Sequence, residues 1–117
     1  MEEANHPAAA ESPEKLAAAT AGRERQYAER ERVDGPDHPA TLAARDSVAR
    51  AYRMSGRFAE AIALHEYNLP ARERILGPDH PLTLESGDDL ARTYLLAGPI
   101  EKAVAAYRAC FGRAFAR

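Results

Sequence analysis

Apolar positions along this chain recur every three or four residues, not every two. After Pro39 they fall at Leu42, Val48, Ala49 and Tyr52, with Arg45 keeping the same register, and after Pro81 at Leu84, Leu90, Ala91 and Tyr94. A second pair of runs carries Phe58, Ala61, Ile62, His65, Leu69 and Ile75, then Ile100, Ala103, Val104, Tyr107 and Phe111. This spacing puts each set on one face of an α-helix. Pro39 and Pro81 stand where such helices would begin, since proline has no N–H to lose in the first turn. Asp37 and Asp79 lie just upstream, placed to cap exposed N–H groups or to oppose the helix dipole. Gly56 and Gly98 predict the ends of the two first helices, because glycine takes the left-handed turn of a C-terminal cap. Gly77-Pro78 ends the long run between them. Pro70 lies inside that run, where it removes an N–H and crowds the carbonyl of Glu66; the sequence predicts a kink or break between about His65 and Leu69.

The pattern repeats. Gly35-Pro36-Asp37-His38-Pro39 recurs as Gly77-Pro78-Asp79-His80-Pro81, an offset of 42 residues, and at that offset 13 of the 28 pairs between 35–62 and 77–104 are identical. Arg30-Glu31-Arg32-Val33 likewise meets Arg72-Glu73-Arg74-Ile75. A fixed offset holding across both halves of a unit is the signature of a repeat architecture. Each unit reads as a helical hairpin. Residues 14–34 read as a second helix without its first, with Leu16, Ala19 and Tyr27 in the positions of Phe58, Ala61 and Leu69. The expected fold is all-α: about five helices in antiparallel hairpins, stacked as a short right-handed solenoid. Residues 1–12 are expected to be disordered, 13–34 a half repeat, 35–76 the first repeat and 77–117 the second. Ala49, Ala61, Ala91 and Ala103 fall where paired helices must approach to about 8–10 Å. Tyr52 and Tyr94 can bury a ring and still reach a polar partner.

Composition narrows the function classes. The 117 residues suit one modest domain, and 16 basic against 18 acidic residues leave a net charge of -2, with no field that argues for nucleic acid. No run approaches the ~20 apolar residues of a membrane span, and the acidic opening Met1-Glu2-Glu3 shows no secretory signal, so a cytoplasmic location is expected. The single cysteine, Cys110, cannot form an internal disulfide.

The motifs Arg-Glu-Arg-Ile-Leu-Gly-Pro-Asp-His-Pro-Leu-Thr-Leu at 72–84, Leu-Ala-Arg-Thr-Tyr-Leu-Leu-Ala-Gly at 90–98 and Ser-Gly-Arg-Phe-Ala-Glu-Ala-Ile at 55–62 resemble tetratricopeptide repeats of the 42-residue kind found in kinesin light chains and many actinobacterial proteins. The resemblance covers about residues 14–117. It implies a solenoid whose first helices line a groove for a peptide or partner protein. The family often carries paired asparagines where this chain has Asp46-Ser47 and Asp88-Asp89. Arg45 fits the family pattern, while its counterpart, Gly87, departs from it.

Candidate chemistry is sparse. His38 and His80 recur beside Asp37 and Asp79, but equivalent positions of neighbouring units should lie about a helix diameter apart, ~10 Å, too far for one metal ion. Turn and cap roles are expected for them, and no metal site or cofactor. Cys110 has no histidine placed beside it, so an inert thiol is expected. Asp88 and Asp89 point ~100° apart on a helix and do not form an acid–base pair. No phosphate loop or nucleophile elbow appears, so no enzyme is expected. The remaining reading is a partner-binding groove. Asp46, Arg50 and Arg53 share one face of the first helix, flanked by Ser47; Asp88, Arg92 and Leu95 share the corresponding face of its copy, beside Asp89. Arginine suits a partner's carboxylates, though Asp46 with Arg50 and Asp88 with Arg92 are also spaced to pair within a helix. The alternative is a scaffold or self-association segment with no groove ligand. Phe111 and Phe115 on the last helix are expected to face outward and to be covered by a second copy or by further repeats.

Overall fold

Prolines 39 and 81 each start a helix, and the residue before each proline is its cap. In the computed structural model, which describes residues 12–115 and side chains as far as Gly112, five helices follow in order: α1 (Pro13–Asp34), α2 (Pro39–Met54), α3 (Phe58–Leu76), α4 (Pro81–Ala97) and α5 (Ile100–Phe115). Among the described residues there is no strand. The expected all-α hairpin stack is observed. No helix among the described residues is long and apolar enough to cross a membrane. Of the segment expected to be disordered, residues 1–11 lie outside the described residues, and Ser12 caps α1 by accepting a bond from the Lys15 N–H at 3.1 Å.

The caps of α2 and α4 fall on the histidines, for which turn and cap roles were expected, and not on Asp37. Proline occupies the first helical position, so the capping side chain belongs to His38 and His80, whose Nδ1 atoms accept from the N–H groups of Ala40 and Leu82 at 3.0 Å each. Asp37 stands one residue too early to cap. It accepts instead from the Tyr67 hydroxyl at 2.6 Å and from Arg74 at 3.1 Å, tying the α1–α2 turn to α3. The first helices end as expected near Gly56 and Gly98; Gly98 adopts φ 115° at the cap of α4, a conformation open to glycine.

Of the kink or break expected at Pro70, the break is absent: α3 runs without interruption from Phe58 to Leu76. Proline removes one bond from the ladder, but Asn68 and Arg72, two residues to either side, are both buried and bonded to neighbouring helices. Pro70 and Glu66 are exposed, so the carbonyl that proline leaves lies on a side that water reaches. Tertiary anchoring on both flanks holds the helix through the lesion.

Each helix packs chiefly on its neighbours in the chain. The molecule measures 52 × 35 × 23 Å with a radius of gyration of 15.8 Å, against about 13 Å for a compact domain of this size. Ala49, Ala61, Ala91 and Ala103 are at most 1% exposed and set the close approach of the hairpin helices. Contacts recur with the 42-residue period. Thr41 donates to the carbonyl of Arg30 at 3.1 Å, and Thr83 to that of Arg72 at 3.3 Å. The Tyr52 hydroxyl donates to Glu24, and the Tyr94 hydroxyl to Glu66. Burial together with that carboxylate pushes the Tyr94 phenol up to about 12.

The units differ most at one internal position. Arg45 is 1% exposed. Its guanidinium donates to the Tyr27 hydroxyl at 2.9 Å, to Asn68 Oδ1 at 2.9 Å and to the Pro36 carbonyl at 3.0 Å. It also stacks 4.2 Å from the centre of the Tyr67 ring. One repeat later Arg45 becomes Gly87 and Asn68 becomes Cys110, and the thiol fills the space. A Cβ on Gly87 would lie 2.3 Å from Cys110 Sγ and 2.8 Å from its Cβ. Burial raises the thiol's pKa, which suits the inert role expected for it. Gly87→Ala is therefore expected to lower stability by about 1–3 kcal/mol through overpacking, in spite of alanine's better helix propensity. Adding Cys110→Ala should restore part of the loss, since it removes the sulfur and leaves the Cβ contact at 2.8 Å. Urea denaturation of the two single variants and the double variant measures the coupling; additive losses would count against the packing account.

Candidate functional site

Arg50 projects from the fourth turn of α2 toward α4. Its Nη2 lies 2.9 Å from Asp46 Oδ2 within the same helix, 3.1 Å from Asp89 Oδ2 and 2.7 Å from Glu85 Oε2. Its Nε also donates to Asp89 Oδ2, at 3.2 Å. One guanidinium thus joins three carboxylates from two repeats. The intrahelical pairing of Asp46 with Arg50 is formed, as is that of Asp88 with Arg92 at 2.8 Å. The bridge from Arg50 to Asp89 and Glu85 was not legible, because no spacing within one helix reports which side chains of the next repeat come alongside.

The residues expected to line a groove divide into two groups. Asp46 and Asp89 are buried, at 3% and 7% exposure, beneath Arg50. Arg92 is exposed and Arg53 partly so. Ser47 is half-buried, and its carbonyl accepts from Arg23 at 3.3 Å, facing α1. Asp88 holds Arg92 and accepts from the Tyr107 hydroxyl at 3.2 Å, while the adjacent Asp89 turns to Arg50, so the two aspartates do point apart. Arg53 approaches Asp89 Oδ1 only to 4.0 Å. Arg53, Arg92, Leu95 and Leu96 line an open hollow of about 340 Å³ between the ends of the two first helices. Leu96, 58% exposed, was missed because it stands off the charged stripe that the sequence singled out.

Beneath this face lies a buried polar cluster that the sequence did not announce. His65, on α3, is fully buried, and its Nδ1 stands 3.4 Å from Asp46 Oδ1. Neither His65 nitrogen nor Asp46 Oδ1 has a hydrogen-bond partner among the protein's groups. The one signal was a histidine in an otherwise apolar stripe. Burial, the largest influence, pushes the Asp46 carboxyl up to about 6, against the pull of Arg50. Burial pushes the His65 imidazole down to about 4, against the pull of Asp89 and aided by Arg53, Arg50 and Arg72. At the last helix, Phe111 is half-buried, with its ring 5.8 Å from that of Tyr107. The Phe115 side chain lies outside the described residues. Exposed apolar side chains at this end include Leu95, Leu96, Ile100 and Val104.

The two shifts act on stability with opposite sign. Asp46, raised from 3.8, stabilises the fold at low pH and loses that contribution as pH climbs through about 6. His65, lowered from 6.5, stabilises it at higher pH and loses that contribution as pH falls through about 4. Between those limits the contributions offset. His65→Gln should therefore make stability fall with rising pH relative to wild type, and Asp46→Asn should make it rise. Urea titrations at several pH values across this window check it; variant profiles parallel to wild type would refute the pairing.

The tetratricopeptide repeat family model matches residues 14–67 and 56–114. Similar in structure are the nearly identical TPR-like repeats of a Podosopora anserina protein described as a kinesin light chain, with 28% identity and a TM-score of 0.77 over 84% of this chain. A variant of that protein matches with 28% identity and a TM-score of 0.78, again over 84% of this chain. The chain spans 46% of each of those structures. No curated protein sequence matches it.

Proposed function

The chain belongs to the tetratricopeptide repeat family, whose repeats are generally protein-interaction modules, and on that premise we propose that it binds an acidic peptide segment of a partner protein across the face formed by α2 and α4. The observation that carries this reading is the hollow between Arg53, Arg92, Leu95 and Leu96. It offers two guanidinium groups beside two exposed leucines, a combination suited to a carboxylate flanked by apolar residues. Arg92 is exposed and held by one aspartate in its own helix, a pair worth only about 0.2–0.5 kcal/mol, so exchange for a partner's carboxylate costs little. Arg50, Asp46 and Asp89 then act chiefly to fix α2 against α4, and Asp88 orients Arg92. No step of this reading requires bond-making chemistry.

Selection of a phage-displayed random peptide library on the purified chain tests the reading. Enriched peptides are expected to carry Asp or Glu next to a large apolar residue. Their affinity should drop at least tenfold in Arg53→Glu, Arg92→Glu with helical circular dichroism unchanged, and should weaken as salt rises. Enriched peptides without acidic residues, or insensitive to the double substitution, would overturn it.

A second reading is favoured by the exposed Leu95, Leu96, Ile100 and Val104 around the α4–α5 corner. An apolar patch at the end of a stack favours self-association or covering by a neighbouring repeat. Sedimentation equilibrium is expected to show a concentration-dependent dimer that Ile100→Glu, Val104→Glu abolishes. A wild type that stays monomeric at high concentration would remove this reading.

A further inference from the structure

The cluster of Asp46, His65 and Asp89 lies beneath the proposed partner face, and where the next repeat sets the Tyr107 hydroxyl on Asp88, this one sets the His65 imidazole beside Asp46 with no hydrogen bond between them. Its side chains come from α2, α3 and α4, all three are buried, and each brings a ligand-type atom to within 4.8 Å of the others. His65 Nδ1 stands 3.4 Å from Asp46 Oδ1 with no hydrogen bond formed, and Nε2 has no partner either. An imidazole nitrogen and a carboxylate oxygen that face each other unbonded, away from solvent, leave room for a bridging group, and a cation is one that satisfies both. The separation suits a metal ion: two ligands held tetrahedrally at ~2.1 Å lie ~3.4 Å apart.

We propose that Asp46, His65 and Asp89 form a binding site for a transition-metal dication of the zinc type, oriented from outside by Arg50. The guanidinium grips Oδ2 of both aspartates, at 2.9 and 3.1 Å, and leaves Asp46 Oδ1 turned to His65. Outer groups that hold the far oxygen of a ligating carboxylate are a regular part of such sites. Closing a spacing of up to 4.8 Å to that of a tetrahedron takes a movement of up to about 1.4 Å by Asp89, and a water completes the set. Arg53 and Arg72 each stand 4.0 Å from one of the carboxylates. Positive charge there disfavours calcium and magnesium, which are held by oxygen ligands and charge alone, and selects an ion that bonds to imidazole. The Arg50 side chain, 36% exposed, is the part of the cluster that reaches solvent, and its swing opens the way in.

The test uses the full chain, stripped with a chelator and titrated with Co²⁺ as a spectroscopic stand-in for Zn²⁺. The expected result is a visible absorption band that saturates at about one equivalent and is displaced by Zn²⁺, with a higher melting temperature in Zn²⁺ and no change in Mg²⁺ or Ca²⁺. His65→Gln should abolish the band, Asp89→Asn should weaken binding at least tenfold, and His38→Gln with His80→Gln should leave both intact. If His65→Gln does not fold, the Asp89→Asn result decides alone. A wild type without the band would mean that a water or a shared proton occupies the cluster. A band that survives both cluster substitutions would place the ion on another histidine. Either result overturns the proposal.

Discussion

A polar group buried between these helices is costly unless it finds a partner, and apart from His65 and one oxygen of Asp46 the arrangement of the stack follows from that constraint. Alanines at the helix contacts let the backbones approach closely, but they leave few large apolar side chains to fill the spaces between hairpins. The largest fully buried side chains include Arg45, His65, Asn68 and three threonines, alongside Leu42 and Val48. An unsatisfied buried polar group costs about 1–3 kcal/mol, so a misregistered helix would lose several such contacts at once. The threonine-to-carbonyl bonds of Thr41 and Thr83, and the fan of bonds around Arg45, fix the register that a smooth alanine surface would leave loose.

The same constraint links fold to function. Arg50 satisfies two buried aspartates and one exposed glutamate, and in doing so sets the distance and orientation of α2 and α4. The hollow between Arg53 and Leu96 exists because those helix ends are held apart at a fixed spacing. Under the proposed reading such a face is preformed: a partner need not order it, and more of the contact energy remains for affinity. The chain's own electrostatics would then supply the rigidity, and its exposed leucines and Arg92 the contact.

Much of the fold was legible because helices announce themselves locally. Proline at position 39 or 81, glycine at 56 or 98 and the three-to-four spacing between them are properties of one segment, and the 42-residue offset added the hairpin stack. What failed was set by three-dimensional context. Pro70 was expected to break α3, yet Asn68 and Arg72 hold both flanks by bonds to residues 14 to 26 positions away. Cap roles were expected for the aspartates and the histidines alike, and only the backbone decides that the histidines are the ones in reach. The charged face was half legible: spacing gave the intrahelical pairs, while the burial of Asp46 and Asp89 and the approach of His65 depend on how α3 and α4 cross α2.

The tyrosine–glutamate bond that joins each second helix to the following first helix also bears on how the array can change in length. Glu24 serves Tyr52 and Glu66 serves Tyr94, but the residue 42 positions beyond Glu66 is Arg108. A tyrosine-bearing first helix laid against α5 would meet a guanidinium in place of a carboxylate. Unequal recombination that copies residues 56–97 as a block keeps every carboxylate facing a hydroxyl, whereas a crossover that sets α5 in the interior of a longer array does not. The units look interchangeable in outline, yet they carry an order, and only some slips of the gene preserve it.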